Sequence, residues 1–332
     1  MIRVLAYGLG PIGVMVARQL ASRDGFRIVG AVDVDPAKVG RDISEVAGLT
    51  RRLRVKIDPD ATSAIRKTRP DVVALCTSSS IRAVMPQIEG VLKARVPIVT
   101  TTEELSYPAA RNARLASHID ALAKKAKVAV LSTGVNPGFV MDALPITLTV
   151  ACERIESVEV TRIQDARTRR LPFQQKIGAG LSRDQFAREV ERGAIRHVGL
   201  AESISMIAAA LGWRLDRITD DVKPRIANAT VASEFLAVDP GFVSGIVQDG
   251  VGYRHGTPII TMHMEAYLGA PDPYDEVKVR GVPNLTLRIP GGVPGDIATA
   301  SIVVNSIPKV LSAKPGLQTM KDLPVPSFYG GR

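Results

Sequence analysis

The chain of 332 residues is 45% hydrophobic and 23% charged, and it carries a formal net charge of +10. This composition is typical of a soluble globular protein, and the length allows two domains. The basic residues are scattered without interleaved aromatic residues, so we expect no nucleic-acid partner; an anionic cofactor or a solvated basic surface explains the charge equally well.

The two cysteines, Cys76 and Cys152, fit neither a disulfide framework nor metal-ligand spacing, so we expect a cytoplasmic protein without a metal site. No stretch approaches the length of a membrane span, and residues 2–7 form a predicted strand instead of a signal peptide. We therefore expect no membrane partner.

Residues 1–35 combine two apolar strands with a glycine-rich turn. The run Ile2-Arg3-Val4-Leu5-Ala6-Tyr7 predicts the first strand, and Gly8-Leu9-Gly10-Pro11-Ile12-Gly13 predicts the turn. Apolar residues then recur at helical spacing to residue 20, and a second strand over residues 28–32 ends at Asp33. This is the order of a dinucleotide-binding βαβ unit; the alternative is a Rossmann-like domain with an empty crevice.

Each glycine of the turn has a physical task in that unit. Gly8 permits the tight turn, Gly10 lets the backbone approach a pyrophosphate, and Gly13 lets helix and strand pack closely. The N–H groups and the positive dipole end of the helix that begins at Pro11 and Ile12 would hold the pyrophosphate. We therefore predict a nucleotide cofactor.

The choice between NAD and NADP depends on the residues that follow the second strand. Asp33 is placed to accept hydrogen bonds from the adenosine ribose, which weakly favours NAD. Lys38 and Arg41 in the next loop are able to meet the 2′-phosphate of NADP, although they are also typical of ordinary solvated charge. Both cofactors therefore stay open.

The rest of the first half alternates strands with helices. Strands are predicted over residues 71–77, 96–100 and 128–131, with helices over 81–92 and 108–125 between them. Ser78-Ser79-Ser80 is expected to cap the first of these helices. The alternation predicts a doubly wound parallel sheet, so we assign residues 1–138 to a Rossmann domain.

The second half has a different pattern. Apolar and polar residues alternate from residue 260 to residue 268, as in an open, mainly antiparallel sheet, and helices are predicted over 183–192 and 201–211. We therefore assign residues 139–295 to a second, α+β domain. An apolar helix over 296–311 is expected to return to the first domain with the tail to residue 332.

Two strand ends carry reactive polar groups, and ligands of open α/β sheets bind outside such ends. Thr77 and Ser78 are predicted beside the nicotinamide ribose, with Thr101 also in the cofactor site; helix capping explains the two former residues equally well. In Thr101-Thr102-Glu103-Glu104 the adjacent carboxylates point apart, so only one faces a cofactor.

We choose Glu103 over Glu104 as an acid/base whose pKa is tuned by partial desolvation. Two capping boxes, Thr100 with Glu103 and Thr101 with Glu104, explain the same residues equally well. Asn136 precedes Pro137 between the two predicted domains, and its amide is able to reach the cleft. A turn in which Pro137 opens a helix is the favoured interpretation of this segment.

Several longer strings resemble one family. These are Thr101-Thr102-Glu103-Glu104-Leu105-Ser106-Tyr107-Pro108, Gly134-Val135-Asn136-Pro137-Gly138-Phe139, His197-Val198-Gly199-Leu200-Ala201-Glu202-Ser203, Gly295-Asp296-Ile297-Ala298-Thr299-Ala300 and Asn305-Ser306-Ile307-Pro308. They are similar to the 2,4-diaminopentanoate dehydrogenases and the native amine dehydrogenases, which are related in fold to dihydrodipicolinate reductase. The paired-histidine motif of that reductase is absent, so its reaction is not assigned.

The resemblance implies reversible NAD(P)-dependent oxidative deamination, run in reverse as reductive amination of a ketone or aldehyde with ammonia. It places the catalytic acid at Glu103 and implies a homodimer formed through the sheet of the second domain. It places the substrate pocket at Val135, Asn136, Val140, Arg162, Gln164, Leu181 and Thr299. Gln164 departs from the shorter amide expected there.

The nature of the substrate stays open in this reading. Arg162, Arg169 and Lys176 border the expected pocket, and a diamino acid would need such a cation for its carboxylate, whereas a plain ketone would not. The alternatives are a diamino acid dehydrogenase, an imine reductase that needs no ammonia, and a nucleotide sensor without catalysis.

Overall fold

A computed structural model describes residues 1–108 and 111–331, and the chain divides into two compact units. Unit 1 comprises Met1–Phe139 and Pro294–Arg332, and unit 2 comprises Val140–Val293. Ala109, Ala110 and Arg332 lie outside the described residues, so the predicted helix over 108–125 is described only in part.

Unit 1 contains a seven-stranded parallel sheet. Its strands, in spatial order, are β15 (Gly316–Gln318), β6 (Ala129–Ser132), β5 (Ile98–Thr100), β4 (Val72–Leu75), β1 (Ile2–Tyr7), β2 (Phe26–Val32) and β3 (Ile57–Asp58). Its helices are α1 (Pro11–Ala21), α2 (Ile43–Val46), α3 (Ala61–Thr68), α4 (Ile81–Lys93), α5 (Ala113–Ala126) and α10 (Gly295–Leu311). All four residues of β4 are buried, as expected for a central parallel strand covered on both faces.

Helix α10 belongs to unit 1 although it lies near the other end of the chain. It packs on α1 and on β4, β5 and β6, and Gln19 on α1 donates to Ile297 O at 3.2 Å and to Ser301 Oγ at 2.9 Å. The buried side of α10 includes Val303, Val304 and Ile307. Both ends of the chain therefore build one core.

Unit 2 contains a six-stranded mixed sheet and a two-stranded hairpin. The large sheet has the order β14 (Leu285–Pro290), β13 (Tyr274–Val282), β7 (Arg154–Asp165), β12 (Thr257–Tyr267), β11 (Val243–Arg254) and β8 (Arg217–Ile226). The hairpin pairs β9 (Val231–Ala232) with β10 (Ala237–Val238). The helices are α6 (Ala143–Leu148), α7 (Leu171–Lys176), α8 (Arg183–Glu191) and α9 (Leu200–Ala210).

All neighbours in the large sheet are antiparallel except β7 and β12, which run parallel. Ile260, Met262 and Met264 of β12 are buried, while the alternating Thr261 and His263 are partly exposed. The predicted fold class, a Rossmann sheet plus an α+β domain with a mainly antiparallel sheet, is confirmed. Within the described ranges, no helix has both the length and the apolar character to cross a membrane.

The favoured interpretation of Pro137 as the start of a helix was wrong. Pro137 does not open a helix: the Asn136–Pro137 peptide is cis, residues 136–142 form turns, and the next helix starts at Ala143.

Candidate active site

The glycine turn after β1 is built for close backbone approach. Gly8 has φ +87°, and a Cβ there would lie 2.7 Å from Cys76 O and from Thr77 Cγ2 at the end of β4. A Cβ on Gly13 would lie 1.8 Å from Gly8 O, so helix α1 sits directly against the turn. Apart from Gly10 and its two chain neighbours, no heavy atom of the described residues lies within 4 Å of the corresponding position on Gly10, so the backbone there is accessible to a ligand.

The first turn of α1 offers N–H donors to that ligand. Gly10 is the N-cap residue, Pro11 follows at the start of the helix, and no side chain caps it. Within the described ranges, the N–H groups of Ile12 and Gly13 therefore meet no capping side chain, which is the arrangement that binds a phosphate at a helix N-terminus. The open Gly10 backbone and the uncapped helix fit the pyrophosphate of a dinucleotide.

Asp33 holds the glycine turn in place. Its Oδ2 accepts from Leu9 N–H at 2.7 Å, and its Oδ1 accepts from Asp35 N–H at 2.9 Å. Lys38 Nζ lies 3.4 Å from Asp33 Oδ2 and 3.2 Å from Asp35 Oδ2. Arg41 faces elsewhere, 3.5 Å from Glu45. The role of Asp33 as a ribose ligand stays a prediction, and the sequence gave no sign of its bond to Leu9.

The ends of β4 and β5 meet at one edge of the sheet. Thr77 Oγ1 donates to Gln87 Oε1 at 2.6 Å, and Ser78 Oγ accepts from Ser80 N–H at 3.2 Å. Thr101 N–H donates to Leu75 O at 3.1 Å, so it joins the two strand ends. Cys76 directly follows the last residue of β4, and burial raises the pKa of its thiol to about 12.

The two glutamates after β5 have different surroundings. Glu104 Oε2 accepts from Ile81 N–H at 2.9 Å, and Glu104 N–H donates to Ser79 O at 3.2 Å. The carboxylate of Glu104 therefore caps α4. Of the cap expected from Ser78-Ser79-Ser80, the described residues show only the bond from Ser80 N–H to Ser78 Oγ, because the side chain of the N-cap residue Ser80 makes no capping bond. The alternative of two capping boxes does not match this geometry: the N-cap of the short 3-10 helix Glu103–Leu105 is Thr102, neither Thr100 nor Thr101, and no side-chain cap is present there in the described part of the chain.

The carboxylate of Glu103 is the candidate acid/base. Its side chain is half-buried, and among residues 1–108 and 111–331 it has no hydrogen-bond or ion-pair partner. Its backbone carbonyl is bound by Ser106 N–H and by Ser106 Oγ, at 3.1 and 2.8 Å. The turn that carries Glu103 is thus fixed while its carboxylate stays available.

Three of the expected substrate residues lie in unit 1. Val135 N–H donates to Thr299 Oγ1 at 3.3 Å, which ties the segment after β6 to α10. Asn136 is 7% exposed. Gly134 lies close to Thr299, since a Cβ on the glycine would be 3.4 Å from Thr299 Cγ2.

The other four expected substrate residues lie in unit 2. Arg162 is 1% exposed; its Nη1 donates to both carboxylate oxygens of Asp275 at 3.0 Å, and its Nη2 donates to Val293 O at 2.8 Å. Burial raises the pKa of the Asp275 carboxyl, although Arg162 and the Val293 amide act in the opposite direction. The charge of Arg162 is therefore neutralised inside unit 2, a pairing that no local spacing indicated.

Gln164 also has a partner in its own unit, because its Oε1 accepts from Arg169 Nη1 at 2.9 Å. The guanidinium of Arg169 lies 4.0 Å from the ring centre of Phe173. Val140 is fully buried and Leu181 is half-buried. Contact of these residues with a substrate stays a prediction. The described residues contain no group of three or more candidate metal ligands.

Comparisons with known proteins show the family of this chain. The family model for the 2,4-diaminopentanoate dehydrogenase C-terminal domain matches residues 139–331. The chain is also 34% identical to the 2,4-diaminopentanoate dehydrogenase of Acetoanaerobium sticklandii, across 99% of this chain and 95% of that protein. The chain belongs to this family. The predicted family is therefore confirmed.

Amine dehydrogenases are further relatives of this family member. The chain is 25% identical to an amine dehydrogenase of Streptomyces virginiae, across 99% of this chain and 98% of that protein. The solved amine dehydrogenase of Mycobacterium smegmatis superposes with a TM-score of 0.88 at 27% identity, over 99% of this chain and 98% of that one. A dihydrodipicolinate reductase from Paenisporosarcina sp. TG-14, with a TM-score of 0.55 at 17% identity, shares the fold.

Proposed function

We propose that the protein is an NAD(P)-dependent oxidoreductase that acts on CH–NH2 groups, and that it aminates a ketone or aldehyde reductively with ammonia and runs the reverse deamination. The observation that carries this proposal is the Glu103 carboxylate. It has no partner in the described part of the chain, and it follows β5 at the sheet edge where the glycine turn also lies. Family membership supports an amine as the reacting group.

The cofactor residues are those of unit 1. Gly8, Gly10 and Gly13 shape the turn, and the first-turn N–H groups of α1 hold the pyrophosphate. Thr77, Ser78 and Thr101 bind farther along the same edge. When bound, the nicotinamide accepts hydride from the amine carbon or supplies it to the imine carbon.

Glu103 moves the protons of the amination. As ammonia adds to the carbonyl carbon, the carboxylate takes one proton from nitrogen. It passes that proton to the former carbonyl oxygen, which gives a neutral carbinolamine. A second proton, taken up from solvent by Glu103, then goes to the hydroxyl oxygen, so that the C–O bond breaks and water leaves an iminium. Proton transfer by a positioned carboxylate contributes about 10²–10⁴-fold in rate.

Two substrate classes are compatible with family membership. We favour an uncharged ketone or aldehyde, because Asp275 already neutralises Arg162, the most deeply buried cation near the expected substrate residues. The second candidate is a diamino acid, which is favoured by the 34% identity to a 2,4-diaminopentanoate dehydrogenase.

We also propose a homodimer formed through the partly exposed face of the unit 2 sheet. Light scattering on the protein as it elutes from a size-exclusion column measures its mass and tests this proposal.

The decisive experiment follows NADH and NADPH oxidation with small ketones and aldehydes, with and without ammonium, in wild type and Glu103→Ala. We expect ammonium-dependent turnover that falls at least about 100-fold in the variant. Glu89→Ala is the matched control, because that carboxylate is on α4 and, among the residues that the structure describes, pairs only with the exposed His118.

Two results would contradict the proposal. Turnover that does not require ammonium would identify an imine reductase. Nucleotide binding without turnover, unchanged in Glu103→Ala, would identify a sensor.

A further inference from the structure

The carboxylate of Asp33 is already engaged in holding the protein together. Both of its oxygens accept backbone N–H groups, from Leu9 and Asp35, and the residue is only 9% exposed. The Lys38 ammonium, 3.4 Å from Oδ2, also offsets its charge. An acidic residue at this position favours NAD because it binds the ribose hydroxyls and repels a 2′-phosphate. In this chain, the existing contacts of the Asp33 carboxylate weaken both its binding of the ribose and its repulsion of a 2′-phosphate.

A basic cavity of about 640 Å³ opens beside the loop that follows Asp33. It is lined by Gly40, Arg41, Asp42, Glu45, Arg52, Arg54 and Lys56. Strand β3 joins it to the ribose end of the site, because Ile57 O accepts from Gly40 N–H and the adjacent Asp58 O accepts from Asp33 N–H. Arg41 N–H also donates to Lys38 O at 3.1 Å.

The cavity has an excess of positive charge. Its two carboxylates already have partners, since Glu45 lies 3.5 Å from Arg41 and 3.8 Å from Arg52, which is also 3.8 Å from Asp42. The remaining cations, Arg54 and Lys56, have no ion-pair partner within residues 1–108 and 111–331. Four basic side chains against two acidic ones suit a ligand that carries a dianionic phosphate.

We propose that Lys38 and the cavity cations Arg54 and Lys56 bind the 2′-phosphate of NADP(H), so that the protein binds NADP(H) more tightly than NAD(H). The proposal rests on the proposed function only for the presence of a nicotinamide cofactor. The phosphate would draw the Lys38 ammonium from Asp33, which keeps its backbone bonds to Leu9 and Asp35. The weak preference for NAD that Asp33 alone indicates is thereby reversed.

The test is direct binding by calorimetry, which needs no turnover. The probes are NADP⁺, NAD⁺, 2′,5′-ADP, 5′-AMP and inorganic phosphate, and the proteins are wild type, Lys38→Ala and the double variant Arg54→Ala/Lys56→Ala. We expect 2′,5′-ADP to bind wild type at least about tenfold more tightly than 5′-AMP, the gain of one charge-assisted contact. Each variant should lose about tenfold or more for NADP⁺ and 2′,5′-ADP, and less than about twofold for NAD⁺ and 5′-AMP.

Lys93→Ala is the control, because it removes an exposed lysine from the last turn of α4 and should change no affinity. Equal affinity of wild type for 2′,5′-ADP and 5′-AMP would overturn the proposal. So would a loss of NAD⁺ and NADP⁺ affinity by the same factor in the variants. Phosphate binding that depends on Arg54 and Lys56 without any preference for NADP⁺ would identify a separate anion site and also overturn it. Because these are binding data, they stand even if ammonium-dependent turnover is not found.

Discussion

The guanidinium of Arg162 lies against both carboxylate oxygens of Asp275, with the two side chains 1% and 2% exposed. Removing one partner leaves a charge buried without compensation, which typically costs about 3–5 kcal/mol. We therefore expect Asp275→Ala to lower the free energy of unfolding by about that amount, measured by urea denaturation.

Asp272→Ala is the matched control, because Asp272 is 73% exposed and pairs with Arg288, which is itself 43% exposed. Its loss should cost less than about 1 kcal/mol. The double variant Arg162→Leu/Asp275→Leu should recover part of the stability lost in Asp275→Ala, since no unpaired charge remains. Equal, small losses for Asp275→Ala and Asp272→Ala would show that Arg162 finds another partner or water.

At the scale of residues, the sequence predicts what local geometry requires. The roles of Gly8, Gly10 and Gly13 follow from one turn of five neighbouring peptide units, so spacing was sufficient. The pairing of Arg162 with Asp275 was not predictable, because the two residues are 113 positions apart and meet only through the pairing of β7 with β13. The choice of Glu103 rested on adjacent side chains pointing apart, and the partner of Glu104 now supports it.

At the scale of elements, α4 is capped by a residue from another strand end. Glu104→Ala removes the acceptor of Ile81 N–H, so we expect a loss of about 1 kcal/mol in unfolding free energy. Glu104→Gln keeps an acceptor oxygen and should recover most of it. Because the same contacts fix the turn that carries Glu103, kcat should fall several-fold in Glu104→Ala with little change in KM for the cofactor, and Glu104→Gln should restore it.

Unlike Glu104→Ala, Glu103→Ala should lower turnover without lowering stability. Its side chain has no partner in the described chain, so the urea midpoint should stay near that of wild type while turnover falls. If Glu104→Ala instead abolished turnover at unchanged stability, the two glutamates would have to exchange roles.

Two helices of unit 2 and the short apolar strands β4, β5 and β6 were predicted, whereas other short elements were missed. The predicted helices over 183–192 and 201–211 correspond to Arg183–Glu191 and Leu200–Ala210, since ten residues display a full helical period. The eight-residue α3, the six-residue α7 and the three-residue β15 were missed, because so few residues do not establish a period.

At the scale of the whole molecule, alternating strands and helices were enough to predict the parallel sheet. They did not reveal its order or the addition of β15 beside β6, because a strand joined from the far end of the chain leaves no trace in local pattern. The mixed pairing in unit 2, with β7 parallel to β12, could not be predicted either, because strands that are distant along the chain pair without leaving a local sequence pattern.

This topology makes unit 1 depend on both ends of the chain. Val303, Val304 and Ile307 of α10 are fully buried, and burial of such a side chain contributes about 1.5–3 kcal/mol. The tail adds contacts of its own, since Gly25 N–H donates to Gly330 O and the ring of Tyr329 packs edge-on against Phe26 at 5.2 Å. A fragment of residues 1–139 lacks all of these, so its sheet and α1 would expose apolar surface.

We expect that fragment to bind a hydrophobic dye and to unfold without a cooperative transition, measured by fluorescence and circular dichroism during heating. Co-expression with residues 294–332 should restore a cooperative transition, because it returns α10 and β15 to their places. The same co-expression with Val304→Asp should fail, since the charge would lie at a fully buried position. A cooperative transition in residues 1–139 alone, at the temperature of the co-expressed pair, would show that the returning segment is dispensable for the core of unit 1.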